Sequence, residues 1–64
     1  MPIIRVEMLT GRSKEQKREL SKTLTREMAR ITGVSEASIF VVIEDVNKEN
    51  WAVGGELLAD KYPD

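Results

Sequence analysis

The residue with the clearest chemical potential is Pro2, which directly follows the first methionine. A small second residue permits removal of that methionine, and removal would leave the proline nitrogen as a free secondary amine. The chain has no histidine and no cysteine. A base near neutral pH must then be a carboxylate, a lysine or an α-amine, and an α-amine titrates closest to neutrality, at about 7.7–8.0. Pro2 is therefore a candidate base, although proline is also ordinary at a strand start, where no ladder donor is needed.

The length and composition predict one small domain, residues 1–64, that depends on self-association. A chain of this size buries only about 60% of the surface that its unfolded form exposes. Small domains usually compensate with disulfides, a metal or partner subunits. The lack of cysteine excludes disulfides, and the lack of histidine excludes most zinc sites. A homo-oligomer is what we expect.

The charge balance argues against polyanionic partners. Ten basic and eleven acidic side chains leave a formal net charge of −1, so we expect neither nucleic acid nor a membrane surface as a partner. No apolar run is long enough to span a bilayer, and no signal-peptide pattern opens the chain. These features predict a soluble, cytoplasmic protein.

Two apolar segments predict strands. Residues 3–9 are rich in β-branched and apolar side chains, with Arg5 and Glu7 alternating on one side. Residues 39–43 are uninterruptedly apolar, a pattern typical of a parallel strand buried on both faces. With a helix between them they form a right-handed β-α-β unit. One helix covers only one face of a two-stranded sheet, so the other face is expected to pack against another copy.

The segment between the strands predicts one amphipathic helix. Ser13 and Gln16 have the spacing of a capping box, and Gly33 is expected to end the helix in a left-handed conformation. An apolar stripe on this helix consists of Leu20, Leu24, Met28 and Ile31. A basic stripe consists of Lys14, Arg18, Lys22, Arg26 and Arg30. We interpret the basic stripe as a solvated face with interspersed glutamates, the alternative being phosphate contacts.

The C-terminal segment predicts a hairpin and a docking tail. Gly54 and Gly55 permit a tight turn, and Trp51 is typical of an interface anchor. Residues 57–64 form a short tail whose apolar side chains are expected to dock on a neighbouring copy; these are Leu57, Leu58 and Tyr62. The glycine pair lacks the spacing of a phosphate loop. Adjacent Glu44 and Asp45 are weak evidence for a cation site, so no metal is predicted.

Several short segments, in order and spacing, resemble the 4-oxalocrotonate tautomerase family over essentially the whole chain. They are Pro2, the Leu9-Thr10-Gly11-Arg12-Ser13 turn, Glu15-Gln16-Lys17, the apolar second strand and Trp51-Ala52-Val53-Gly54-Gly55-Glu56. The resemblance implies an α+β fold, a β-α-β subunit with parallel strands and a short C-terminal hairpin. It also implies a hexamer built as a trimer of dimers, no cofactor, and a role in the degradation of aromatic compounds.

The resemblance further implies a cofactor-independent isomerase that acts on a small carboxylate substrate. Pro2 would be the general base that moves a proton between the oxygen and carbon positions of a 2-hydroxydienoate or an arylpyruvate-type enol. Arg12 would bind a substrate carboxylate. Trp51 would stand where the family usually has phenylalanine, as an apolar wall. Leu9 and Ser38 would also contact the substrate. In the hexamer, the residues of one active site would come from different subunits.

Phe40 is a departure from the family pattern, which usually has a second arginine early in the second strand. A charge-assisted hydrogen bond of that kind contributes about 1.5–3 kcal/mol. Its loss disfavours the usual dicarboxylate substrate unless another cation, such as Arg5 or Lys61, replaces it. Phe40 would instead favour an apolar or aromatic enol.

Two other functions remain open on the sequence. The same base could serve hydration or dehalogenation of a small unsaturated acid, although no water-activating acid is evident near Val53. The chain could also be a non-catalytic assembly module, in which Pro2 simply starts a strand and the basic helix stripe contacts a partner. Activity towards enols, halide release and salt-dependent polyanion binding distinguish the three.

Overall fold

The computed structural model describes residues 1–63, which form a parallel β-α-β unit followed by a small hairpin and one helical turn. The strands and helices are β1 (Ile3–Leu9), α1 (Lys14–Thr32), β2 (Phe40–Val46), β3 (Ala52–Val53), β4 (Glu56–Leu57) and α2 (Leu58–Lys61). Single 3₁₀ turns occur at Glu36–Ser38 and Lys48–Asn50. The predicted α+β class, parallel strands and C-terminal hairpin are confirmed.

The sheet of β1 and β2 is covered on one face by α1. The register runs from Ile3 opposite Phe40 to Leu9 opposite Val46. Side chains alternate between the two faces, and in β1 the alternation is regular from Ile3, which is exposed, to Met8, which is half-buried. Ile4, Val6 and Met8 face the helix, and the alternate side chains point to the other side of the sheet. The exposed members of that other side form what we call the open face: Ile3, Arg5, Glu7, Phe40, Val42 and Glu44. Leu9 and Val46 alternate onto the same side but are half-buried.

Both ends of α1 are determined by local hydrogen bonds, as the sequence predicts. The Ser13 hydroxyl accepts from the Gln16 N–H at 3.1 Å, and the Ser13 N–H donates to Gln16 Oε1 at 2.9 Å. Gly33 ends the helix with φ 79°, and its N–H donates to Ala29 O at 2.9 Å. Neither described helix combines the length and apolar character that a membrane-spanning segment requires.

The predicted apolar stripe of α1 is wrong at its last member. Leu20, Leu24 and Met28 are half-buried, but Ile31 is 70% exposed. A 19-residue helix is about 28 Å long, whereas a seven-residue strand is about 23 Å. The last turn therefore extends past the sheet, and most of Ile31 is left uncovered by its own chain.

The second strand continues three residues beyond its predicted end and includes Glu44 and Asp45. Asp45 lies on the helix side, where its charge is neutralised by Lys17 of α1. Within the chain only one face of β2 is covered, and Phe40 and Val42 remain 50% and 40% exposed on the open face. Packing of another copy there stays a prediction.

The C-terminal hairpin has the predicted turn, but one of the three side chains predicted to dock on a neighbouring copy, Leu58, packs within its own chain. Gly54 and Gly55 have φ values of 61° and 87°, the left-handed pair that a two-residue hairpin turn requires. Leu58, expected to dock on a neighbouring copy, is 9% exposed and is the one buried apolar side chain among residues 1–63. Its N–H donates to Trp51 O at 2.8 Å, which folds α2 back onto its own chain. Asp64, the end of the predicted tail, lies outside the described residues.

Candidate active site

Pro2 lies at the N-terminal end of the sheet, where its carbonyl adds one hydrogen bond to those between the parallel strands β1 and β2. The Phe40 N–H donates to Pro2 O at 3.0 Å, one residue before β1 begins. Pro2 is half-buried and Met1 is exposed. With Met1 attached, the Pro2 nitrogen is a tertiary amide and has no basicity. Removal of Met1 would leave an amine on a residue whose position is already held by the sheet.

Phe40 and Ser38 lie at the same end of the sheet as Pro2. The Phe40 side chain is on the open face, opposite Ile3 in register. The Ser38 hydroxyl donates to Ser35 O at 2.7 Å, and the Ser38 N–H donates to the same carbonyl at 3.0 Å. The Ser38 side chain thus closes the 3₁₀ turn. Because its proton is already donated, the Ser38 hydroxyl can only accept a hydrogen bond from a ligand.

Leu9 and Arg12 lie at the opposite end of the sheet. Leu9 is the last residue of β1, and Arg12 follows it in the exposed loop that leads to α1. A strand of seven residues separates them from Pro2 by about 23 Å at 3.3 Å per residue. Among the described residues, Arg12 makes no ion pair, so its guanidinium is available for a carboxylate.

Trp51 is at the same end as Leu9 and Arg12. It is half-buried and lines a cleft of about 300 Å³ together with Glu7, Val46, Asn50 and Ala52. Glu7 was not among the predicted site residues. Its alternation with Arg5 in the sequence places it on the open face, but spacing within one strand does not show that Trp51 lies beside it.

A second cleft, which the sequence did not predict, adjoins the loop of Arg12. It measures about 430 Å³ and its lining residues are mostly polar: Thr10, Asn47, Lys48, Glu49, Ala59 and Tyr62. The Lys48 ammonium donates to Tyr62 O at 2.7 Å across it. This bond ties the segment after β2 to the C-terminal residues.

The candidate cations that could replace the missing arginine are differently placed. Arg5 is on the open face, opposite Val42. Val42 is two residues after Phe40 in β2 and is on the same face. Lys61 is in α2, with its ammonium 5.8 Å from the centre of the Tyr62 ring. Arg5 therefore shares a surface with Phe40, and Lys61 belongs to the other end of the molecule.

The basic stripe of α1 is exposed, and two of its members pair along the helix. Arg18 bonds Glu15, and Arg30 bonds Glu27 at 3.0 Å, each three residues apart. Such exposed pairs contribute little to stability and dilute the positive field. The interpretation as a solvated face is consistent with this arrangement. Within residues 1–63 no cluster of three or more acidic side chains could hold a metal ion.

The single chain thus divides the predicted site between its two ends. Pro2, Ser38 and Phe40 lie at one end of the sheet, and Leu9, Arg12 and Trp51 lie towards the other end. The separation of about 23 Å exceeds the reach of any side chain. A small substrate can contact both groups only if two chains contribute opposite ends.

The fold is that of a class of small enzymes with known structures. YwhB, a homologue of 4-oxalocrotonate tautomerase, superposes with a TM-score of 0.89 at 44% identity, covering 92% of this chain and 97% of that one. A chain of the heterohexamer 4-oxalocrotonate tautomerase from Chloroflexus aurantiacus superposes with a TM-score of 0.87 at 38% identity, covering 94% and 97%.

The sequence comparisons identify the family. The 2-hydroxymuconate tautomerase of Bacillus subtilis is 45% identical over 60 residues, covering 94% of this chain and 97% of that one. A family model described as tautomerase enzyme matches residues 2–61. The chain belongs to the tautomerase family and is an enzyme of the isomerase class, which confirms the resemblance and disfavours a non-catalytic assembly module.

Proposed function

We propose that this enzyme interconverts the enol and keto forms of a 2-hydroxydienoate or an arylpyruvate-type acid, without a cofactor and with Pro2 as the general base. The observation that carries the proposal is the placement of Pro2, half-buried at the sheet edge with its carbonyl held by the Phe40 N–H at 3.0 Å. Similarity to a protein named 2-hydroxymuconate tautomerase supports the substrate class.

The proposed reaction needs only a proton carrier. The Pro2 amine takes the proton from the 2-hydroxyl group of the enol and returns it to a carbon of the conjugated system, giving the ketone. An α-amine titrates at about 7.7–8.0, and an apolar wall such as Trp51 disfavours its charged form. The base is then unprotonated in a useful fraction of molecules at neutral pH.

The proposed site is composite, so the enzyme is active as a homo-oligomer. Pro2 of one chain and Arg12 of another would meet in a cleft walled by Trp51. The exposed Phe40 and Val42 on the open face support an additional subunit contact. The relative from Chloroflexus aurantiacus is described as a heterohexamer, and we propose a hexamer, a trimer of dimers, for this chain in the cytoplasm.

Substrate choice in this proposal follows from one cation and one aromatic ring. Arg12 binds the carboxylate of the substrate, because guanidinium and carboxylate form paired hydrogen bonds. Phe40 stands beside Pro2 without a charge, so the other end of the substrate is better matched by an apolar or aryl group than by a second carboxylate. An arylpyruvate enol has this shape.

The Pro2 amine is tested by blocking and freeing it without changing any side chain. A cleavable extension before Pro2 keeps the nitrogen in an amide bond, and its removal releases the amine. We expect the blocked form to convert phenylenolpyruvate and 2-hydroxymuconate about 10²–10⁴-fold more slowly, the range for a lost general base. Absorbance decay of the enol gives the rate, and intact mass gives the state of the terminus.

The matched control is the same protein after cleavage, which should regain the full rate. Native mass spectrometry of both forms establishes that assembly is unchanged. Ordinary rates in the blocked form would refute the role of Pro2.

A further inference from the structure

The loop that carries Arg12 is anchored at both of its ends. The Thr10 N–H donates to Val46 O at 3.1 Å, one residue past the end of β1. On the helix side, the capping box bonds Ser13, the residue directly before α1, to Gln16 in the first turn. Gly11, between these anchors, has φ 120° and no neighbouring atom within 4 Å of where a Cβ would be. The place of Arg12 therefore depends on where α1 begins relative to the end of β2.

An ion pair between Lys17 and Asp45 joins those two elements directly. Lys17 Nζ lies 2.5 Å from Asp45 Oδ2, and the side chains are only 30% and 37% exposed. Lys17 is one turn into the helix, with its N–H donating to Ser13 O at 3.1 Å. Asp45 immediately precedes Val46. Consecutive residues of β2 thus hold both ends of the Arg12 loop, one through its carbonyl and the other through its carboxylate.

This ion pair differs in kind from the other ion pairs of residues 1–63. Those link residues three apart on the exposed face of α1. The pair of Lys17 and Asp45 spans 28 residues of sequence and connects the helix to the sheet. Removing it would take away the side-chain bond between the first turn of α1 and β2, while the backbone bond on the strand side of the loop stayed in place.

We propose that Lys17 and Asp45 are positioning residues for substrate binding, which act by holding the Arg12 guanidinium in place. The inference rests on the proposed role of Arg12 as the carboxylate-binding residue. A displacement of about 1 Å in a group that binds substrate can cost up to about 10²-fold in efficiency. Since Arg12 is proposed to bind and not to transfer protons, the cost falls on KM.

The positioning role can be distinguished from a simple effect of charge on substrate binding by two single variants, Asp45→Asn and Lys17→Met. Asp45→Asn leaves the Lys17 cation unpaired, which by charge alone would strengthen the attraction of an anionic substrate. Lys17→Met leaves the Asp45 carboxylate unpaired, which by charge alone would weaken the attraction of an anionic substrate. Loss of positioning weakens substrate binding in both variants.

The experiment measures KM and kcat for phenylenolpyruvate in full-length protein freed of Met1. We expect Lys17→Met and Asp45→Asn each to raise KM roughly fivefold to tenfold with kcat within about twofold. The double variant should be no worse than either single variant, because the two residues act as one unit. Glu27→Gln, which removes an exposed ion pair of the same helix, is the matched control and should leave both constants unchanged.

Arg12→Ala, measured alongside, separates the two proposals. Opposite signs for the two single variants, or an unchanged KM in both while Arg12→Ala raises it, would overturn the positioning role and leave the proposed function standing. An unchanged KM in Arg12→Ala would overturn the carboxylate role of Arg12, and the positioning role with it.

Discussion

Phe40 is the residue through which the proposed site can be changed most directly. Its N–H holds Pro2, while its side chain lies half-exposed on the open face. A substitution of the side chain leaves that backbone hydrogen bond in place and opens no cavity in the core of its own chain. The side chain at position 40 can therefore be altered at small cost to the fold of the subunit.

Phe40→Arg should shift the substrate preference towards dicarboxylates. A guanidinium at this position could bond the second carboxylate, and charge-assisted hydrogen bonds contribute about 1.5–3 kcal/mol. We expect kcat/KM for 2-hydroxymuconate, divided by that for phenylenolpyruvate, to rise about 10- to 100-fold, as that energy implies. Steady-state kinetics on both enols give the ratio.

The control for this change is Phe40→Leu, which removes the ring without adding charge. It should lower the rate with the aryl substrate and leave the dicarboxylate rate nearly unchanged. An equal fall with both enols in the arginine variant would contradict a carboxylate contact at position 40.

At the scale of elements, α1 begins where side chains bond its first free N–H groups. Ser13 supplies such a bond through its hydroxyl. Ser21 lies inside the same helix, where its hydroxyl donates to Lys17 O at 2.8 Å. The first bond satisfies a donor that the helix leaves free, whereas the second adds to a carbonyl that the helix already uses.

Ser13→Ala and Ser21→Ala should therefore differ although the substitution is the same. Loss of the N-cap should lower the free energy of unfolding by about 1 kcal/mol. At position 21, alanine has the higher helix propensity, so we expect a change within about 0.5 kcal/mol. Urea unfolding followed by circular dichroism, at one fixed protein concentration, measures both.

Equal losses in the two variants would show that general packing of the serine side chains, and not capping, determines the stability of this end of α1. The fixed concentration matters because subunit association contributes to the apparent stability of an oligomer.

At the scale of the whole molecule, the single chain leaves much of its apolar surface uncovered. Leu58 is the one buried apolar side chain within residues 1–63, and the open face exposes Phe40 and Val42. A small domain with such a limited core usually gains stability from partner subunits. The same association would unite the two ends of the sheet in one active site.

Val42→Lys should therefore weaken assembly and activity together. The new ammonium would lie opposite Arg5 in the sheet register, and burying two cations at a subunit contact without partners is costly. We expect native mass spectrometry to show smaller species than the wild type, with enol turnover falling in proportion to the assembled fraction.

Ile31→Lys is the control, since Ile31 is more exposed than Val42 and is not part of the open face. It should leave the assembly unchanged. A fully assembled Val42→Lys variant would show that the open face is not a subunit contact.

The features that the sequence predicted correctly are those produced by neighbours along the chain. The capping box of Ser13 and the left-handed Gly33 define α1, and the glycine pair defines the hairpin. The extension of β2 to Val46, which includes Asp45, and the burial of Leu58 were missed. Both depend on a partner from a distant segment, Lys17 in one case and the Trp51 backbone in the other.

By itself, the sequence determined the β-α-β order, the two ends of the helix and the position of Pro2 at the start of the first strand. These features follow from periodicity and capping, which act within a few residues. Only the tertiary structure decided that Glu7 adjoins Trp51 and that Lys17 reaches Asp45. Spacing along a strand or helix gives the direction of a side chain from its own backbone. Which element lies in that direction depends on how the elements pack.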